Sequence, residues 1–194
     1  MKNKHNFNRK NTWAILLLSS VIGLIASFVQ AIERIDYAKN PKLPLSCDVN
    51  SVFSCSNVFD AWQSSVFGFS NSLMCIVFFT LILGVALAGI TGSLIKTKLK
   101  YLMQFFSLFF LGFGAWYLHQ SAFVIDSLCI FCIFCYSAVI AINWAWLRLN
   151  VADYKLSQNS RNKVNKALSS GIDTFLWVLW AIIIASMLYV GIKY

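Results

Sequence analysis

Six cysteines punctuate this 194-residue chain, and four of them fall into two pairs whose spacing suits two-electron chemistry. Cys129 and Cys132 form Cys-Ile-Phe-Cys at the start of a strongly apolar stretch, and Cys47 and Cys55 lie in a polar segment far upstream. A C-x-x-C pair is a redox or metal motif in most settings. A second pair on the same side of a membrane would give it somewhere to send or collect electrons. On a helix, residues three apart share a face. Ser127 or Asp126 is placed to cap such a helix, so Cys129 is expected in its first turn. There the positive end of the helix dipole favours a thiolate, the species that attacks disulfides.

Each cysteine also has a plainer use. In an oxidising compartment Cys47 and Cys55 suffice as a structural staple. Buried cysteines serve as small hydrophobic residues, which accounts for Cys75 and Cys135. Zinc is a poor reading: closed sites pair their cysteines two to four residues apart, whereas seven residues separate Cys47 from Cys55. His119 brings no partner ligand and suits a polar interfacial position.

The elements that must hold these residues are membrane helices. Hydrophobic residues make up 59% of the chain and charged ones 12%, against about 45–50% and about 25% in soluble domains. Crossing the hydrocarbon core takes roughly 20 apolar residues. Five segments meet that length: 13–32, 72–91, 101–120, 128–147 and 174–192. None alternates as a barrel strand does. The expected fold is therefore an all-α integral membrane protein, with residues 1–194 as one membrane domain.

Basic residues set its sidedness. Twelve lysines and arginines (Lys2, Lys4, Arg9, Lys10, Lys96, Lys98, Lys100, Arg148, Lys155, Arg161, Lys163 and Lys166) fall on one side of the spans, and Arg34, Lys39, Lys42 and Lys193 on the other. Basic loops stay in the cytoplasm. The N-terminus is thus expected there, with residues 33–71 and 121–127 facing a periplasm or an equivalent lumen. The net charge of +9 then reports topology; no basic stripe interleaved with aromatics suggests nucleic-acid binding. Val29-Gln30-Ala31 resembles a small-residue cleavage site, but the apolar run before it is longer than a signal peptide's 7–15 residues. A retained anchor is expected.

Disulfide exchange only moves electrons, so a membrane-embedded pair needs a lipid-soluble terminal acceptor. Neither a dinucleotide-binding Gly-x-Gly-x-x-Gly nor a haem-attaching Cys-x-x-Cys-His is present. A quinone dissolves in the bilayer and takes the two electrons of one disulfide.

Cys-Asp-Val-Asn…Ser-Cys-Ser-Asn-Val-Phe at 47–59, Phe67-Gly68, Asn71-Ser72, and Leu128-Cys129-Ile130-Phe131-Cys132 followed by Tyr136 together resemble the vitamin K epoxide reductase family over about residues 13–150. The resemblance implies a four-helix bundle around a quinone pocket, partly capped by a half-helix from Asn57 to Phe67. Val58, Phe59, Trp62 and Phe67 would then rest on the membrane or lid the pocket. It also implies that Cys132 reacts with the quinone, ubiquinone or menaquinone, and that Cys129 exchanges with the loop. Cys55 would pass electrons to Cys129, an outside dithiol would attack Cys47, and Asn71 and Tyr136 would hydrogen-bond the quinone carbonyls.

Some residues depart from the family pattern. Ile-Phe stands between the paired cysteines where bacterial relatives often have Pro-Tyr, and Cys75 stands where a small residue is usual. Cys135 is an additional thiol; neither Cys75 nor Cys135 is assigned a redox role. Many bacterial relatives carry a thioredoxin-like domain after the fifth span, so this sequence implies a separate partner. The leading expectation is a disulfide-generating thiol:quinone oxidoreductase in a bacterial inner membrane, served by a periplasmic thioredoxin-fold dithiol oxidase. The alternatives are a vitamin K epoxide or quinone reductase of an endoplasmic reticulum membrane and a non-enzymatic bundle with a structural loop disulfide.

Overall fold

Five long helices carry the chain back and forth, joined by one long loop and several short connections. The computed structural model describes residues 2–42, 45–151, 153–154 and 157–193, with the side chains of residues 2–8 and 161 outside the description. Of the basic residues that set the sidedness, Lys155 and the side chains of Lys2, Lys4 and Arg161 therefore lie outside the described residues. The helices are α1 (Lys2–Lys39), the short α2 (Cys55–Asp60), α3 (Asn71–Ile90), α4 (Thr97–Phe123), α5 (Ile130–Val151), α6 (Gln158–Ser169) and α7 (Ile172–Lys193). Arg9–Lys39 of α1, and α3, α4, α5 and α7, are long and apolar enough to cross a membrane. Each contains most of a segment expected from hydropathy. The protein is an all-helical, multi-pass membrane protein.

Lipid tails are as apolar as leucine, so helices in a membrane associate through close packing and buried polar contacts. The packing centres on α5, which meets α1, α4 and α7, while α1 also packs along α3. Ile142, Ala145 and Trp146 of α5 are fully enclosed, with Trp13 of α1 edge-on to Trp146 at 5.9 Å between ring centroids. Gly23 lets α1 and α3 approach closely, because a Cβ there would fall 2.2 Å from the Phe79 ring.

The outermost helix is α7, whose many exposed apolar side chains suit contact with lipid. Its start is fastened by Arg148, which donates from Nε to Asp173 Oδ2 at 2.6 Å and from Nη2 to Asp173 Oδ1 at 2.9 Å. The same guanidinium stacks over Trp144. At that end of the bundle Lys100 is buried in an ion pair with Asp153. The long loop after α1 covers the opposite end, where α1 and α4 finish and α3 and α5 begin.

Candidate functional site

The loop that carries Cys47 and Cys55 is built around one carboxylate. Asp48 Oδ1 accepts from Ser54 Oγ and the Ser56 backbone N–H, each at 3.1 Å, and its Oδ2 accepts from Ser56 Oγ and the Leu45 N–H. Ser54 also caps α2 by accepting from the Asn57 N–H. These contacts fold the segment back on itself, and Cys47 and Cys55 are joined as a disulfide. Both are almost wholly buried.

Burial alone would raise the Asp48 pKa. The hydrogen bonds from Ser56, Ser54 and Leu45 outweigh it and hold the carboxyl below its ordinary 3.8. A depressed folded-state pKa gives stability that is present above the unfolded value and lost as pH falls through the folded one. The loop is therefore expected to stay ordered at neutral and mildly acidic pH and to loosen below the ordinary carboxylate range. Asp48→Ala should weaken it at pH 7 by about 1 kcal/mol, the worth of a partly solvated charged hydrogen-bond set. Limited proteolysis between α1 and α3 reads this out; cleavage unchanged by both the substitution and acid would refute the role.

The segment before α5 departs from the expected helix start. Neither Ser127 nor Asp126 caps the helix: α5 begins at Ile130, and the Cys129 carbonyl accepts from the Cys132 and Ile133 N–H groups. Cys129 therefore stands at the N-cap, one step before the first turn. The loop is the reason. Leu128 donates to the Val52 carbonyl at 2.7 Å and accepts from the Ser54 N–H at 3.2 Å, forming a parallel bridge between Phe53 and Leu128. Ser127 instead accepts from Asn57 Nδ2 at 2.9 Å, and Asp126 turns the chain with φ +54°. This stitching fixes Cys129 against the loop disulfide.

The sulfurs meet as a result. Cys55 Sγ lies 3.3 Å from Cys129 Sγ, while Cys129 and Cys132 are free thiols. Gln30 of α1, which hydropathy left as part of a span, donates from Nε2 toward Cys132 Sγ at 3.1 Å and toward Cys129 Sγ at 3.6 Å. Donors at sulfur favour the thiolate, and an amide side chain within a membrane span needs such a partner. That rarity is the signal by which sequence reading could have found Gln30.

Below the sulfurs lies a cavity of about 60 Å³ whose lining includes Cys132, Gln30, Phe59, Asn71, Tyr117 and Tyr136. Cys132 faces it and Cys129 does not. Asn71 opens α3 and donates from Nδ2 to the Gln63 carbonyl at 2.7 Å; its buried Oδ1 has no hydrogen-bond partner among the described residues. Tyr136 packs its ring where a Cβ on Gly114 would fall 2.5 Å away, and its hydroxyl accepts from Trp180 Nε1 of α7 at 3.1 Å. The site thus draws on the fifth span, a contribution that no motif announced.

The single half-helix expected from Asn57 to Phe67 is two pieces. Ala61 is extended between α2 and a 3₁₀ turn at Trp62–Ser65. Arg34 forces the break from α1, donating to the Phe59 carbonyl and stacking on the Phe59 ring, while Tyr37 donates to Asp60 Oδ2 at 2.7 Å. Of the four apolar residues expected to lid the pocket, Val58 and Phe59 turn inward, with Phe59 over the cavity, while Trp62 and Phe67 are exposed.

A planar ring of quinone size fits the chemistry of this lining better than its present volume. Aromatic faces, an amide oxygen without a partner among the described residues and a free thiol converge there, but about 60 Å³ is below the roughly 150 Å³ that admits benzene. A ring would have to displace a side chain, and of the aromatic side chains that line the cavity Phe59, on α2, is the one outside the spans. Phe110 also borders an apolar groove of about 710 Å³ between α3 and α4.

The sequence model of the vitamin K epoxide reductase family matches residues 14–147, from α1 through most of α5. No curated protein matches the chain.

Proposed function

The chain belongs to the vitamin K epoxide reductase family, and from that premise we propose that it generates disulfides by oxidising a periplasmic dithiol partner at the expense of a membrane quinone. Membership makes it a membrane oxidoreductase coupling cysteine pairs to quinone chemistry. The direction, the partner and the residue roles are the proposal. The observation that carries it is the sulfur arrangement: Cys55 of the loop disulfide abuts Cys129, and Cys132 alone of the C-x-x-C pair opens on the cavity.

In this reading a thioredoxin-fold dithiol oxidase presents its thiolate to Cys47, breaking Cys47–Cys55 and leaving with its own disulfide. The released Cys55 thiolate attacks Cys129 of an oxidised Cys129–Cys132 pair. Cys47 then displaces Cys129 from Cys55, and two electrons now rest on Cys129 and Cys132. A quinone in the cavity supplies a two-electron, two-proton acceptor that dissolves in the bilayer. Cys132 delivers the electrons there, and Cys129 closes the disulfide again. Gln30 steadies both sulfurs while they are thiolates, and Asn71 and Tyr136 orient the ring, Asn71 Oδ1 accepting from a hydroquinone hydroxyl. A loop disulfide beside two free thiols corresponds to the stage after internal exchange and before electrons leave for the quinone.

The bias of basic residues supports a cytoplasmic N-terminus and a site on the opposite face; in this reading that face is the periplasm of a bacterial inner membrane and the acceptor is ubiquinone or menaquinone. Expression in a bacterium deleted for its own quinone-linked dithiol oxidase, together with a compatible partner, is expected to restore periplasmic disulfides. Restoration that survives quinone depletion, or none despite good expression, would refute the proposal.

A further inference from the structure

Two thiols remain that the mechanism above does not use. Cys75 sits one turn into α3, and Cys135 lies on α5 one turn beyond Cys132, about 4.5 Å deeper along the helix axis. They come from different helices and are 60 positions apart in sequence, yet they meet. Cys75 packs against the core cluster that contains Cys135, whose thiol donates to the Gly23 carbonyl at 3.8 Å. Both also line the cavity that Cys132 faces. Cys132 and Cys135, three apart on α5, share a face, and Cys75 reaches the same cavity from α3.

Burial as small hydrophobic residues explains either thiol singly. It does not explain why two thiols from two different helices share the one cavity where a third thiol is expected to react. We propose that Cys75 and Cys135 are a second redox pair, a membrane-embedded dithiol that gives two electrons to the quinone and recovers them from Cys129 and Cys132. This rests on the quinone-linked reading of the site.

Both steps balance. In the first, the Cys75 and Cys135 thiols lose two electrons and two protons and form one S–S bond, and one quinone becomes one hydroquinone. In the second, the Cys132 thiolate attacks that disulfide, Cys129 resolves the mixed species, and the Cys129–Cys132 disulfide forms as two thiols are regenerated at positions 75 and 135. A chain fully reduced at the outset would then hold three electron pairs where the four catalytic cysteines hold two.

The test is an anaerobic titration of the reduced, detergent-solubilised full chain with a short-chain ubiquinone, followed by quenched alkylation and peptide mass spectrometry. About three hydroquinones per chain are expected, with a Cys75–Cys135 disulfide peptide among the products. Cys75→Ala and Cys135→Ala should each lower the yield to about two, a 1.5-fold fall, because each disulfide is a two-electron couple. Using both variants guards against one that fails to fold. If Cys129–Cys132 oxidises while Cys75 and Cys135 remain alkylatable, the second pair is refuted and the proposed function stands. If no pair oxidises, the quinone-linked reading itself fails and the second pair falls with it.

Discussion

Cys132→Ala is expected to abolish quinone reduction by a reduced dithiol partner, lowering turnover at least about 10³-fold, within the range seen when a nucleophile is removed. The size of the effect follows from the division of labour in the site. Cys132 is the member of the C-x-x-C pair on the cavity, so electrons from the loop reach the acceptor, directly or by way of Cys75 and Cys135, only through it. Cys129 keeps its place 3.3 Å from Cys55 and can still attack it. Without Cys132 the resulting Cys55–Cys129 mixed disulfide has lost the neighbouring thiol that resolves it, so this species should accumulate. Non-reducing peptide mapping would detect it, together with a free Cys47. Full turnover by the variant would exclude the mechanism.

The fold was readable because lipid imposes a length rule, and five apolar runs obey it whatever their neighbours. The meeting of Cys129 with the loop was readable for a related reason: both segments end spans that finish on one side. The helix start was not. Ser127 and Asp126 are good capping residues by type, but capping competes with every other use of the same groups. Here Asn57 claims the Ser127 hydroxyl, and Val52 and Ser54 claim the backbone of Leu128. Those contacts span some 70 residues of sequence, and no local pattern records them. The broken cap at Ala61 has the same origin, since Arg34 and Tyr37 pull on Phe59 and Asp60 from another helix. Trp180 shows the limit from a different direction. It lies beyond the residues the family model matches, so neither motif nor resemblance drew attention to its bond with Tyr136.

Gln30→Leu should cut turnover about tenfold to a hundredfold while leaving the fold in place. Leucine is near in volume and a good helix former, and Gln30 is buried, so the substitution removes a donor without opening a solvent-filled gap. What is lost is a pair of N–H contacts, at 3.1 Å to Cys132 and 3.6 Å to Cys129. A hydrogen bond to a charged acceptor is worth about 1.5–3 kcal/mol, and each 1.4 kcal/mol is about tenfold in rate. The loss falls on the thiolate states, through which every internal transfer must pass, so it appears in the exchange with Cys55 and in delivery to the quinone alike. Alkylation of Cys129 at neutral pH should slow in parallel, because the reagent captures the same thiolate. A purely structural role predicts the reverse: loosening α1 against α5 would expose the thiols and speed alkylation. Slower turnover with faster alkylation would therefore overturn the assignment, whereas a matched decline in both places Gln30 in the electron path as the residue that holds two sulfurs ready to exchange.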